Sequence, residues 1–351
     1  MKPSNWILAL ALAATVAIAS GASDAAGDTG YAVKRPVMGG ACKQCVWGPL
    51  AEFVQAAMKP YGYDIVICYN CNQADSPRYV AKALRPHQLT AHEIALGDPP
   101  PPSAPVDFGV TESQMLIWSY NGQVMYQSDG PQHQLRLIAK IEDPVYFLIA
   151  AKKSSGITDL ASLRTAKRPI KILTDGGPWL EPVFKYYGIT KKDVESWGGA
   201  FKATAMSPEK DGDFDLLVSS LASTGNNFES NVWTQMSEKY DLAYFSLPDD
   251  LRGELAKEFN GELVDVPYEY LRGVDHPIHT VGRSGHAVYG RADMPDAFAY
   301  TLAKAIDESH ERLQWLNRAY RYDTRTVWKN GNVPLHPGAE RYYREAGYLK
   351  Q

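Results

Sequence analysis

The sequence predicts an α/β fold of two lobes, joined by two long extended strands and enclosing a cleft. Three observations lead there. Short β-branched runs alternate with helical patterns along most of the chain, the mark of parallel sheets with crossover helices. Leu135–Ala151 (LRLIAKIEDPVYFLIAA) and Ile278–Tyr289 are extended stretches long enough to leave one sheet and enter another. Roughly 325 to 330 residues lie beyond an N-terminal export signal, enough for two hydrophobic cores.

The signal reads as Lys2 followed by an apolar run from Trp6 to Ala19, with small-residue cleavage sites near Ala22. Residues 1–22 are therefore expected to be removed, leaving a periplasmic protein. The run is too short and too Ala-rich for a membrane anchor. Hydrophobic content of 45% and charged content of 22% fit an ordinary globular body. A net charge of −4 offers no electrostatic footprint for nucleic acid.

Tyr31–Val37 reads as the first strand. Leu50, Phe53, Val54, Ala57 and Met58 then fall on one helical face. Tyr63–Tyr69 is a second strand, Pro77–Leu84 a helix, and Val106–Val110 a third strand that runs into a turn at Thr111–Gln114. Gly97–Pro105 is too rich in proline for regular structure. Beyond Leu135–Ala151, strands are expected at Ile170–Thr174, Asp213–Ser219, Leu242–Leu247 and Glu262–Val266. Ile278–Tyr289 brings the chain back, and Pro295–Leu316 is a helix with Asp293 as its cap. The first lobe is then discontinuous, 31–138 with 277–351, and the second is 139–276.

Ligands of open parallel sheets gather beyond the carboxyl ends of the strands. That rule selects Gly39, Gly40 and Ala41 after the first strand, Asn72 in the loop after the second, and Glu112, Ser113 and Gln114 after the third. In the second lobe it selects Asp175, Gly176 and Gly177, where paired glycines ahead of Pro178 could cradle an anion. Trp179 is either a stacking wall or a core residue. Ser219 and Ser220 end a strand and can donate hydrogen bonds, and Tyr270 stands just before the return crossover. Arg78 and Arg136 are possible carboxylate partners or plain surface arginines.

Cys42-x-x-Cys45 and Cys68-x-x-Cys71 are two CxxC motifs, each near a strand end and 22 residues apart. Disulfides of open connectivity, a four-thiolate zinc site and thiol redox chemistry all remain readings of this pattern. A periplasmic redox or metal-binding protein is thus the alternative function. Covalent haem is excluded, because Val46 and Asn72 stand where that motif needs His. Ser284 lacks the spacing of a nucleophile elbow, and His92-Glu93 lacks the second His of a zinc-protease helix. His276, His279 and His286 read as packing or surface residues. No enzyme, metal or cofactor is expected.

Near the C-terminus, Val333–Gly347 (VPLHPGAERYYREAG) sets two prolines around His336 ahead of a short helix, Ala339–Ala346, stopped at Gly347. This stretch resembles the C-terminal signature of the TAXI-type solute-binding proteins of TRAP transporters, and the resemblance can be followed from about Tyr31. It implies a type II periplasmic-binding-protein fold. It also implies a small organic acid as ligand (a dicarboxylate, acidic amino acid or aromatic carboxylate), captured by lobe closure and delivered to a membrane TRAP permease. The family's usual Thr-Gly-Gly-Ser-like and Gly-Ser-Gly-Thr-like loops are replaced here by Asn70–Ser76 and Asp175–Trp179.

Overall fold

The computed structural model describes residues 35–43, 47–97, 99–204, 209–222, 232–316 and 320–350. The first strand among the described residues is β1 (Val37–Gly39), and Arg35 and Pro36 of the expected Tyr31–Val37 strand stand outside it. Pro36 has no N–H to give a ladder, and its carbonyl instead accepts from Val66 N at 3.0 Å. Tyr31–Lys34 lie outside the described residues. α1 (Trp47–Met58) buries the predicted stripe of Leu50, Phe53, Val54, Ala57 and Met58. β2 (Val66–Ile67), α2 (Ser76–Ala81), α3 (Ala91–Leu96), β3 (Phe108–Glu112) and α4 (Ser113–Asn121) follow. β1 lies between β2 and β3, parallel to both.

β4 (Leu135–Lys152) is a single strand of 18 residues. Its partner is β10 (Ile278–Arg291), antiparallel, and the two run side by side through the middle of the molecule. On one side β10 pairs with β3; on the other, residues Val145–Ala151 of β4 pair with a second group of strands. That group contains β5 (Lys171–Thr174), β6 (Ala200–Ala203) and β7 (Leu216–Ala222), with β8 (Leu242–Tyr244) on β4 and β9 (Glu262–Val266) on β10. Helices α5 (Ala161–Ala166), α6 (Leu180–Tyr186), α7 (Lys191–Ser196), α8 (Val232–Lys239) and α9 (Asp249–Phe259) connect them. The strand order β2-β1-β3-β10-β4-β7-β5-β6 is one curled sheet with a lobe at each end. This is the two-lobe α/β arrangement predicted.

The crossover is not uniform. The β4–β10 register slips between Ser284 and His286, where Gly285 takes φ +83°. A Cβ there would stand 2.2 Å from Ile141 O, so only glycine allows the bulge. The bulge sets His286 against Asp143, Nε2 to Oδ2 at 3.0 Å, both side chains buried.

α10 (Asp296–Ser309) is shorter than the expected Pro295–Leu316, and α11 (Leu313–Leu316) continues after a 3₁₀ turn. Asp293 does not cap α10. Its carboxylate accepts from Arg291 Nε at 2.8 Å, and Pro295 occupies the N-cap position.

The C-terminal signature proves to be a clamp on β4. Leu137 and Pro334–His336 exchange backbone bonds, His336 N to Leu137 O at 2.8 Å and Leu137 N to Pro334 O at 2.9 Å. α12 (Pro337–Glu345) starts at His336, whose Nδ1 accepts from Gly338 N at 3.2 Å. Burial lowers the pKa of this imidazole, so the ring is the neutral acceptor the cap needs. Its 3.7 Å approach to the Asp296 carboxylate is therefore no ion pair. Tyr343 OH reaches Ile138 O at 2.9 Å and completes the clamp.

Candidate functional site

In the first lobe the glycine loop is turned inward. Gly39, Gly40 and Ala41 are buried, and the Gly40 amide donates to Cys71 O at 2.5 Å. Gly40 sits at φ +93°, where a Cβ would lie 1.7 Å from Val110 O. Cys71 itself is joined to Cys68 in a disulfide, with both sulfur-bearing residues fully buried. Cys42 is also disulfide-bonded, and Cys45 lies outside the described residues. Disulfide sulfurs offer no thiolates for zinc, and the Cys68–Cys71 pair is too deep to be an accessible redox couple, whereas Cys42 is half-buried. Asn72 organises the turn into α2: its Oδ1 accepts from Ala74 N and Asp75 N, both at 3.0 Å.

The polar turn after β3 does something different. Glu112 is buried and pairs with Arg283 of β10: Nη2 donates to Oε1 at 3.1 Å, and Nε lies 2.8 Å from Oε2. Ser113 Oγ donates to Gly285 O at 3.1 Å, and Ser113 O accepts from Asn330 Nδ2 at 2.9 Å. Gln114 reaches across to the other lobe, where its Nε2 donates to Phe259 O at 2.6 Å. Trp118 Nε1 donates to the same carbonyl at 3.1 Å. α4 is thereby latched to the C-terminal end of α9.

Behind that latch lies a cavity of about 360 Å³, walled on one side by Ser113, Gln114, Ile117, Asn330 and Gly331. Ala256, Lys257, Asn260, Gly261 and Glu262 form the opposite wall, while Lys140 of β4 and Arg283 of β10 form the floor. Both lobes and both crossover strands therefore contribute, in the size range of a small-ligand site. Lys140 is buried, with Nζ 3.3 Å from Glu142 and 3.7 Å from Glu262.

In the second lobe the donors selected from the sequence come together, but around a resident anion. Asp175 Oδ1 accepts from Gly177 N at 3.0 Å, and its Oδ2 accepts from Ser219 Oγ at 2.9 Å and Ser220 N at 2.8 Å. Gly176 N turns aside to Thr174 Oγ1 at 3.0 Å. Among the described residues no hydrogen bond joins this group to the Gly39–Ala41 loop. Trp179 is a core residue rather than an open wall. It stacks between Phe147 and Phe259, centroids 5.9 and 6.0 Å away, with its ring edge against Gly261 of the cavity wall.

Tyr270 meets Tyr146 edge-on at 5.8 Å. Burial, then Tyr146 and Asp143, push the Tyr270 phenol up to about 12, and nearby Arg321 draws it back. Arg78 is occupied by Asp129 (2.6 Å) and Asp75 (2.8 Å), and Arg136 by the carbonyls of His133 and Leu135. The cations that matter, Lys140 and Arg283, lie inside extended runs that read as apolar core. Their one signal in the sequence was charge within the crossover strands, Lys140 among Arg136, Glu142 and Asp143, and Arg283 between glycine and serine.

A model of the NMT1-like family matches residues 103–347, well over half of the chain. The chain belongs to the NMT1-like family. Among solved structures, it is similar to a TctC solute binding protein from Polaromonas at 12% identity and TM-score 0.43, over 90% of this chain and 99% of that one. MatC from Rhodopseudomonas palustris, solved with bound malate, aligns at 13% identity and TM-score 0.42, covering 81% of this chain and 89% of its own. The periplasmic aliphatic sulphonate binding protein SsuA from Escherichia coli gives 13%, 0.39, 89% and 79% for the same measures. Among the described residues of this NMT1-like chain, no helix is long and apolar enough to cross a membrane.

Proposed function

We propose that this chain is the extracytoplasmic solute-binding subunit of a TRAP-type transporter. It captures a small organic acid between its lobes, 31–138 with 277–351 on one side and 139–276 on the other, and delivers it to a membrane permease. The observation that carries this reading is the inter-lobe cavity. It lies on both crossover strands, offers Lys140 and Arg283 from the strands and Lys257 from α9, and is walled by both lobes. A carboxylate there gains charge-assisted bonds from groups already paired to Glu142 and Glu112, which hold the cations in place. Walls from two lobes bind a guest fully only when shut, so the guest shifts the population toward closure. The resemblance of Val333–Gly347 to the TAXI signature supports the TRAP assignment and export after loss of residues 1–22.

A thermal-shift screen of the mature protein over organic acids, amino acids and aromatic carboxylates tests the reading. A genuine solute at a hundred times its dissociation constant adds about 2.7 kcal/mol of stability. The same solute should leave the radius of gyration unchanged or smaller by small-angle scattering. A flat response to every acid would remove the function.

A further inference from the structure

We propose that Gln114 selects acids that carry a hydrogen-bond donor near the carboxylate, so that 2-hydroxy and 2-amino acids bind in preference to their unsubstituted counterparts. The inference rests on the solute-binding reading and sharpens it. Gln114 lines the inter-lobe cavity and is only 2% exposed. Its Nε2 is committed to Phe259 O at 2.6 Å. A carbonyl accepts only from a donor, so this bond decides which end of the amide is nitrogen. The other end, Oε1, is buried and has no donor. Buried acceptors are seldom left unmade, since each costs the desolvation of a polar group.

Gln114 stands in the cavity wall, so an occupant that brings a donor is what can pair Oε1 once the wall closes onto it. The cavity's cations, Lys140 and Arg283 on the floor and Lys257 on the α9 wall, fix where the acid group lies. An O–H or N–H on the neighbouring carbon can then turn toward the α4 wall. An unsubstituted acid leaves Oε1 unpaired in the closed form. Sites built to hydrogen-bond such a group reject the analogue that lacks it far better than apolar sites reject an extra methylene.

The test is calorimetry on the full mature chain with matched pairs: 2-hydroxybutyrate and butyrate, malate and succinate, glutamate and glutarate. The substituted member should bind about 10- to 100-fold more tightly. In Gln114→Met, which keeps length and loses the acceptor, that ratio should collapse toward one. Trp118→Phe removes the other bond to Phe259 O without touching Oε1, and should weaken both members of a pair alike. Equal affinity within the wild-type pairs overturns the proposal, as would be seen if a trapped water satisfies Oε1. A ratio that survives Gln114→Met overturns it too. Should Gln114→Met fail to fold, the wild-type ratios and Trp118→Phe decide the matter. Silence from every compound would instead defeat the solute-binding reading itself.

Discussion

Two loops, one in each lobe, start from similar sequence, a glycine pair after a β-strand, and arrive at opposite physics. In the first lobe the chain is wedged. Gly40 packs where no side chain fits, its amide is spent on Cys71 O, and the Cys68–Cys71 bridge pins that carbonyl. In the second lobe the chain is open. Nothing approaches within 4 Å of a Cβ added at Gly176, and the donors converge on the side chain of Asp175. One glycine pair is a packing requirement, and the other is a turn whose donors a single carboxylate gathers. Which role a Gly-Gly plays depends on what lies across from it.

The comparison breaks most visibly on substitution of the glycines. Gly40→Ala forces a methyl into Val110 O at φ +93°, with no flexible side chain to yield. It should cost at least about 3 kcal/mol in denaturant unfolding. Gly177→Ala meets only Asp175 Oδ1 at 3.3 Å with an ordinary φ, and should cost under about 1 kcal/mol. Equal losses would mean that the first loop is as open as the second. The next largest effect belongs to the bridge. Replacing Cys68 and Cys71 together by Ala should cost about 2 kcal/mol, the loop-closure value for so short a ring. Reductant alone should change little until the protein is partly unfolded, because both residues are fully buried.

Much of the fold was legible because it depends on patterns within one segment. The 18 residues of β4 and the return of β10 announce themselves by long, largely apolar extended runs, and α1 by a stripe every third or fourth residue. Signals that depend on a competitor were not legible. Asp293 looks like a cap until Arg291 takes its carboxylate, and Trp179 looks like a wall until Phe147 and Phe259 close over it. The site divides in the same way. Strand ends were found by position, but the partners of Asp175 lie more than forty residues away in sequence, at Ser219 and Ser220. Lys140 and Arg283 were hidden for the converse reason. Charges inside apolar strands look like interruptions of a core until the sheet curls and sets them under a cavity.

The smallest expected effect separates the loops electrostatically. Asp175→Asn keeps an oxygen for Gly177 N, but its amide nitrogen cannot accept from Ser219 Oγ or Ser220 N. Two donors and one unit of negative charge are thus released at the second loop while the first is untouched. If this loop borders the bound solute, organic acids should bind about three- to tenfold more tightly to the variant, with the gain shrinking as salt rises. Amino acids discriminate further. A solute whose ammonium group rests on the free lone pair of Asp175 Oδ1 should bind the variant more weakly, even as simple acids improve. Calorimetry at two ionic strengths with glutarate and glutamate distinguishes these outcomes. Unchanged affinity for both would place Asp175 outside the cleft, and its carboxylate would then be a fastening between β5 and β7 rather than part of the site.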